Sequence, residues 1–287
     1  MQFRFGIRMP YVVLIITTIA IAASACGNEL VNQRVQGANV ESTNSHEDSK
    51  KLRVITSISP IRSIAKSIGG DRIIVSEIIP EGINAHTFEP PPSATRNLSE
   101  SDLILVNGLN LELPIIELAK SNVSLDTPMV LLGERTIGPD EYVYDFSFPR
   151  VLGNPNPHLW TAPNLASKYG SLIANALSEI DPNGSAYYKV NLAKFQTRVA
   201  EMDRLFSISI QTIPEKNRRL LTYHDSFPFF GNRYGLEIIG AIQPSNFSDP
   251  SPSNLAKLIK QIRDLELPAI FGSVVFESEV LSIIADA

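Results

Sequence analysis

Three of the four histidines in this 287-residue chain lie in segments whose composition restricts the backbone. His86 lies in "NAHTFEPPPS", His158 in "NPNPHLW" and His224 in "LLTYHDSFPFF", each beside prolines or aromatic residues. A restricted backbone loses little entropy when its side chain is committed to a ligand, and neutral imidazole is the commonest metal ligand in proteins. A single histidine is more often a packed or surface residue, but three of four in such loops favour one shared metal site.

The same three histidines are compatible with catalysis, because a catalytic zinc has three protein ligands and an open position. A zinc-dependent hydrolase would also need a general base, and the sequence holds no His-Glu-x-x-His helix or comparable pairing. The serine in "HDSFP" lacks the glycines of a nucleophile elbow. The hydrolase is one alternative to a binding protein, and a surface adhesin lipoprotein, which no repeat supports, is another.

The composition is that of a folded, acidic protein. Hydrophobic residues make up 44% of the chain and charged residues 19%, which is enough apolar material for one large or two modest domains. The formal net charge is -5, and no dense supply of lysine and arginine is available to neutralise phosphates. We therefore expect no nucleic-acid partner. The negative net charge is more compatible with a small cation as the ligand.

Residues 1–25 have the pattern of an export signal. Arg4 and Arg8 precede an apolar run over residues 11–22, which is shorter than a membrane-spanning helix requires. The only cysteine follows in "AASAC", which resembles a bacterial lipoprotein signal whose cysteine, here Cys26, becomes the lipidated first residue. We expect an exported chain, anchored by lipid on the outer face of the cytoplasmic membrane or periplasmic, with a plain secretory signal as the alternative.

Residues 26–50 are polar and lack aromatic side chains, so they bury too little surface to fold. We expect this segment to be a disordered tether. The fourth histidine, His46, is then solvated and not a ligand, and the folded part of the chain begins near residue 51.

From residue 51 the sequence alternates short β-branched runs with helical patterns. The strand candidates are "LRVITSI", "RIIVSEII", "DLILVN" and "PMVLLG". Ser59, followed by Pro60, and Ser93 are candidate helix N-caps. This alternation predicts a parallel sheet covered on both faces. We assign residues 51–183 to an N-terminal α/β lobe, in which residues 133–157 form a long loop without helical or strand period.

A helical pattern of unusual length follows this lobe. In "SAYYKVNLAKFQTRVAEMDRLFSISIQTI" apolar residues recur at spacings of three and four, and the pattern ends before Pro214. We expect residues 184–213 to form one rigid helix between two lobes. After this helix, strand and helix patterns alternate again. We therefore assign residues 214–287 to a C-terminal α/β lobe. That lobe stops inside a helix, so we expect it to be incomplete.

Five segments resemble, in order, the metal-binding solute-binding proteins of zinc and manganese ABC importers, the ZnuA/TroA-like family also called cluster A-I. The segments are "HTFEPPPS", "NPHLW", "DPNGSAYYKVNLAKF", "YHDSFPFFGNRYGLE" and "VFESE". The resemblance spans residues 52–287. It implies two α/β lobes joined by one long rigid helix, a metal in the cleft between them, and a non-enzymatic receptor that delivers its ion to an ABC permease in the membrane.

The resemblance also implies the ligand set. His86 and His158 would come from the first lobe and His224 from the second. The family's fourth ligand is normally a carboxylate in a loop after a final strand, which would lie beyond Ala287. Asp286 lies in the preceding helix and is a poor substitute, so on this pattern we expect a truncated chain.

Coordination chemistry predicts the cargo. Three neutral imidazoles suit Zn²⁺, and with one carboxylate they also accept Mn²⁺ or iron. We therefore expect the protein to bind zinc, with manganese as the alternative. We also expect it to be a monomer. Because the ligands must be deprotonated, affinity is expected to fall as the pH drops through about 6. Glu89 and Asp225 are candidate acceptors for the ligand rings, and Trp160, Phe88 and Phe227 are candidate walls of the site. Solvated carboxylates and ordinary packing are the respective alternatives.

Overall fold

The computed structural model describes residues 51–267, 269–272 and 279–286. The predicted signal sequence, the lipidation site Cys26, the tether with His46 and most of "VFESE" lie outside the described residues. Within the described ranges, no helix combines the length and the apolar character that crossing a lipid bilayer requires.

Four parallel strands form the first sheet, in the order β2-β1-β3-β4. They are β1 (Leu52–Thr56), β2 (Ile73–Glu77), β3 (Leu103–Val106) and β4 (Met129–Leu131). Leu52 pairs with Ile73, and Ile104 pairs with Met129. All residues of β3 are buried, as expected for an inner strand of a parallel sheet that is covered on both faces. The predicted strands of this region are confirmed.

Helices cover this sheet, and their N-termini differ in detail from the prediction. They are α1 (Ser59–Gly69), α2 (Pro92–Ser99), α3 (Leu113–Asn122), α4 (Leu132–Thr136) and α5 (Pro163–Ile180). Ile58 and Pro91 are the N-caps of α1 and α2, and neither makes a side-chain cap hydrogen bond. The prediction that Ser59 and Ser93 are caps is therefore wrong. A proline in each first turn sets the helical φ and removes an N–H that would otherwise need an acceptor.

Residues 133–157 contain more helical structure than the sequence predicts. Helix α4 occupies the start of this segment, and 3₁₀ turns lie at Pro139–Glu141 and Arg150–Leu152. The helix has 5 residues and each turn has 3. Pieces of this length are too short to show an apolar period, which is why the sequence suggested an irregular loop.

Helix α6 (Ser185–Gln211) has 27 residues and confirms the predicted long helix. It packs against α5 and α1, and its C-terminal half meets α7 (Pro228–Tyr234). Gly170 of α5 allows a close approach, because a Cβ there would lie 2.9 Å from the ring of Phe195 on α6. Much of the predicted apolar stripe is half-buried or exposed, and the buried residues of α6 are Tyr188, Val199 and Ile210.

A second parallel sheet follows α6. It pairs β5 (Arg219–Thr222) with β6 (Glu237–Ala241), and Phe271 adds a parallel bridge to Thr222. Helices α7, α8 (Pro252–Asp264) and α9 (Glu279–Asp286) accompany it. The buried core of this part contains Leu221, Tyr223, Ile242 and Ile284. The predicted fold class, α/β with parallel sheets and one long helix between them in the chain, is confirmed.

Candidate metal centre

The side chains of His86, His158 and His224 converge on one point. The Nε2 atom of His86 lies 3.3 Å from that of His158 and 3.1 Å from that of His224, and the latter two atoms are 3.1 Å apart. Nitrogen donors about 2.0–2.1 Å from a tetrahedral zinc ion stand roughly 3.3–3.4 Å from one another. The triangle therefore fits one divalent ion, and among the described residues this is the cluster able to hold a metal.

The end of a secondary-structure element positions each histidine. His86 follows β2, and its backbone N–H donates to Asn84 Oδ1 at 3.0 Å. His158 precedes a 3₁₀ turn, and His224 follows β5. Loops beyond the carboxyl ends of parallel strands face a common crevice, which explains why residues so distant in the sequence meet. His158 and His224 are buried, and His86 is partly buried.

Asn156 fixes the ring of His158. Its Oδ1 accepts hydrogen bonds from the His158 Nδ1–H at 2.8 Å and from the His158 backbone N–H at 3.1 Å. Its Nδ2 donates to the main-chain oxygen of Asp225 at 2.9 Å. Because that oxygen can only accept, the amide has one orientation and His158 carries its proton on Nδ1. The Nε2 lone pair is then free to face a metal.

Gln243 fixes the ring of His224 in the same way. Its Oε1 accepts from the His224 Nδ1–H at 2.7 Å, while its Nε2 donates to the main-chain oxygen of Phe247 at 2.8 Å. Sequence reasoning missed both amides. Asn156 is part of the "NPHLW" segment, so its place two residues before a ligand was a usable signal. Gln243 gave no such signal, because its contact depends on how β6 aligns with β5.

Burial keeps the three imidazoles neutral. It lowers the pKa of His86 and of His158 well below the usual 6.5, with repulsion from neighbouring histidines as the second cause. Burial also lowers the pKa of His224 to about 4, against the opposing effect of the Gln243 acceptor. Neutral rings can bind metal without first losing a proton. Because the pKa values of all three rings are lowered, competition between protons and metal is expected at a pH below about 6.

Aromatic rings surround the triad. The Phe148 ring lies 5.5 Å from that of His86 and 5.6 Å from that of His158, and Trp160 is edge-on to His158 at 5.2 Å. Phe247 stacks on His86 at 4.3 Å. A cavity of about 200 Å³ opens beside the three histidines. Phe148 and Phe247, which the sequence did not reveal, are therefore walls of the site together with Trp160.

The remaining candidate residues are Phe88, Phe227, Glu89 and Asp225. Phe88 packs against the first core, and Phe227 is 38% exposed and lines a neighbouring cavity. Glu89 is exposed on the His86 loop. Asp225 is buried directly after His224, and its Oδ2 accepts a hydrogen bond from the Ser147 N–H at 3.2 Å. The Nδ1 acceptors of His158 and His224 are amides, and the roles of Glu89 and Asp225 stay predictions.

Asp145 and Asp225 form an acid pair beside the site. Burial, together with the nearby Asp225, raises the pKa of Asp145 to about 8, and burial also raises the pKa of Asp225. The pair therefore retains one proton at neutral pH. Asp225 Oδ1 is buried and has no hydrogen-bond partner among the described residues. The pair contributes one negative charge to the surroundings of the metal centre rather than two.

Residues 142–157, which we call the strap, connect the two sheets at the site. Ser147 donates from its backbone to Asp225 Oδ2 and from its hydroxyl to the main-chain oxygen of Gln243 at 2.9 Å. Asn156 adds its hydrogen bond to the main-chain oxygen of Asp225. The strap thus leads directly into one ligand, His158. Its hydrogen bonds also hold Asp225 and Gln243, which lie beside another ligand, His224.

Comparison with known proteins identifies the class. Residues 54–287 match the ZnuA family, described as zinc-uptake complex component A, periplasmic. The match covers most of the chain, so the chain belongs to this family.

Individual relatives agree with this assignment. The chain is 28% identical over 257 residues to the manganese-binding lipoprotein MntA of Halalkalibacterium halodurans, across 90% of this chain and 78% of that protein. A crystal structure of ZnuA, 26% identical, has a TM-score of 0.74 over 83% of this chain and 88% of that chain. The periplasmic zinc-binding protein TroA of Treponema pallidum has the same fold, with a TM-score of 0.75 at 24% identity and 83% of each chain covered.

The chain is therefore a metal-binding receptor of a zinc or manganese ABC importer, acting outside the cytoplasm. Its three histidines form a divalent-metal site. The predicted family, fold class and function are confirmed. Membership of a family of substrate-binding receptors also confirms that the chain is not an enzyme, which removes the hydrolase alternative.

Proposed function

We propose that Zn²⁺ is the cargo and that the Nε2 atoms of His86, His158 and His224 bind it. The observation that carries this proposal is the Nε2 triangle, with edges of 3.1 Å to 3.3 Å. Two of the rings are held in the metal-binding tautomer by Asn156 and Gln243. The bound ion is kept in the crevice between the two sheets and is passed from there to the membrane permease.

The donor set favours zinc over manganese. Imidazole nitrogen suits zinc, whereas manganese is better served by carboxylate, carbonyl and water oxygens. Three neutral nitrogens converge here, and the groups behind two of them are neutral amides. The names of relatives do not decide the metal, because MntA is called manganese-binding and TroA zinc-binding.

In the cell the receptor is a monomer, anchored by lipid at Cys26 on the outer face of the cytoplasmic membrane. The lipoprotein name of MntA supports this placement. Residues 1–25 are the signal and residues 26–50 the tether. Residues 51–183 and 214–287 are the two lobes, which residues 184–213 join. Within the site, Glu89 and Asp225 are the proposed carboxylate acceptors for the ligand rings, and Asp225 also accepts a hydrogen bond from the Ser147 N–H.

Calorimetric zinc titration of the ligand variants tests the site. His86→Ala, His158→Ala and the double variant should each lose affinity, the double variant by on the order of 100-fold or more, because each change removes a bond to the ion. His46→Ala is the matched control, since it removes the histidine that no ligand role requires. Wild-type affinity in the double variant would reject the site.

Metal competition tests the choice of cargo. With equal concentrations of zinc and manganese, zinc should occupy the wild-type protein, as measured by elemental analysis after removal of free metal. Occupancy by manganese under these conditions would reject zinc as the cargo while leaving the three-histidine site in place.

A further inference from the structure

We propose that Phe247 is an aromatic latch that controls the rate at which metal enters and leaves the site, with Gln243 holding it in place; this proposal rests on the proposed zinc binding. Phe247 lies in the loop that follows β6, a strand of the second sheet. Its ring stacks on His86, which follows β2 of the first sheet, with centroids 4.3 Å apart and an interplanar angle of 14°. The stack therefore joins the two halves of the molecule directly at a metal ligand.

The ring also occupies a boundary of the site. Its centroid is 5.9 Å from that of Phe148 and 5.9 Å from that of His224. A cavity of about 160 Å³ lies along this boundary, and its lining includes His86, Phe148 and Phe247. Movement of the second sheet away from the first must break the stack on His86.

The backbone at Phe247 is strained. Its φ is 59°, in the left-handed region that a bulky side chain rarely adopts. Such strain persists only where the surroundings hold it, and it often marks a functional site. Two hydrogen bonds hold it here: the Phe247 N–H donates to the Pro244 oxygen at 2.9 Å, and the Phe247 oxygen accepts from Gln243 Nε2 at 2.8 Å. The turn is also tied down at Asp249, which accepts from the Tyr223 hydroxyl at 2.7 Å.

Gln243 couples this turn to the third ligand. One end of its amide accepts from the His224 ring and the other donates to the Phe247 backbone. A rotation of the His224 ring that breaks the first contact therefore disturbs the second. This one amide therefore links the orientation of the His224 ring to the position of Phe247, which stacks on His86. We expect the latch to open at the same time as His224 leaves the metal.

Stopped-flow kinetics with an excess of a metal chelator provide the test. Phe247→Leu keeps an apolar side chain but removes the flat ring, and it should raise the rates of zinc association and dissociation together, each by about fivefold. The dissociation constant should then change less than the rates do. Phe247→Tyr, which can still stack, should restore wild-type rates. Phe146→Leu, at an exposed position of the strap, is the matched control and should behave as wild type.

A second measurement works without metal. In the metal-free protein, carbethoxylation of His86, followed by mass spectrometry, should be faster in Phe247→Leu than in the wild type or in Phe146→Leu. If the wild type fails to bind zinc, the proposed function fails and the modification rates still test the latch. If the wild type binds zinc but Phe247→Leu shows wild-type release and modification rates, the latch is rejected. A rise in dissociation rate alone, with an equal loss of affinity, would also reject it, because that pattern indicates a damaged site.

Discussion

At the residue scale, the orientation of the ligands depends on two neutral amides. A carboxylate behind an imidazole would fix the same tautomer but would also increase the basicity of the ring and strengthen its bond to the metal. Asn156 and Gln243 fix the tautomer without adding charge. Burial raises the pKa of both carboxyls of the acid pair beside them, which disfavours a second negative charge there. Such an arrangement suits a receptor that must release its ion as well as capture it.

The contribution of Asn156 can be measured by removing its amide. Asn156→Ala leaves the Nδ1–H and backbone N–H of His158 without their acceptor and frees the ring to rotate. Zinc affinity should fall by about 10-fold to 100-fold, as measured by calorimetry. Asn154→Ala, at an exposed position two residues away on the strap, is the control. Equal affinities for the two variants would show that Asn156 does not position the ligand.

Glu112 gives the folded protein a pH dependence of its own. It is 1% exposed, and it accepts hydrogen bonds from the backbone N–H groups of Asn107 at 2.6 Å and Gly108 at 3.1 Å. Burial raises its pKa from 4.5 to about 7, against the effect of these hydrogen bonds. Stability from the protonated form is thus fully present below pH 4.5 and is lost as the pH rises through about 7.

Urea unfolding of Glu112→Gln isolates this effect. The free energy of unfolding of the variant should increase relative to that of the wild type by about 2 kcal/mol between pH 5 and pH 8, because only the wild type must ionise a buried carboxyl. Glu117→Gln, at an exposed position of α3, the helix that Glu112 precedes, is the control. A difference that does not change with pH would show that Glu112 ionises in the folded protein as readily as in the unfolded chain.

The sequence predicted the ligands but not the groups that orient them. The three histidines could be found because prolines and aromatics mark their loops. Gln243 could not, because its partner is set by the register between β5 and β6, which includes a shift between Leu220 and Leu221. Phe247 could not, because a left-handed backbone at a phenylalanine is a consequence of surrounding contacts rather than of local preference.

At the element scale, strand ends and one long helix determine where the ligands lie. Strands were predictable from their β-branched runs, and α6 from its unbroken period. The short helical pieces between residues 133 and 157 were not predictable, since they are too short to show an apolar period and are closed by local hydrogen bonds. Gly138 and Glu141 close one of them through a hydrogen bond from the Gly138 N–H to Glu141 Oε2 at 3.2 Å.

The junction between α6 and α7 should be sensitive to one carboxylate. Asp203 of α6 accepts hydrogen bonds from the Arg233 guanidinium and, at 2.6 Å, from the Tyr234 hydroxyl. Asp203→Ala removes all of these contacts and should lower the free energy of unfolding by about 1–2 kcal/mol, as measured by urea denaturation. Glu201→Ala breaks the more exposed pair with Arg204 on the same helix and should have no measurable effect. Equal stabilities for the two variants would show that α7 is held by packing alone.

At the scale of the whole molecule, the site is completed only when both sheets contribute. His86 and His158 are carried by the first sheet and its strap, and His224 by the second sheet. The strap already joins the two parts through Ser147 and Asn156. A bound ion would add a further connection between loops that otherwise meet through a few hydrogen bonds and aromatic contacts.

Hydrogen exchange can show whether the ion makes this connection. Amides beside the site are hydrogen-bonded in both sheets: Ile78 donates to the Thr56 oxygen at 2.9 Å, and Gln243 donates to the Tyr223 oxygen at 2.8 Å. At a free zinc concentration 100 times the dissociation constant, zinc binding stabilises the intact site by about 2.7 kcal/mol. Hydrogen exchange that requires opening of the site should therefore slow by up to about 100-fold at both amides. In His224→Ala, the same zinc concentration should no longer protect the amide of Gln243. Protection of Ile78 alone in the wild type would mean that zinc binds to the first sheet without connecting it to the second.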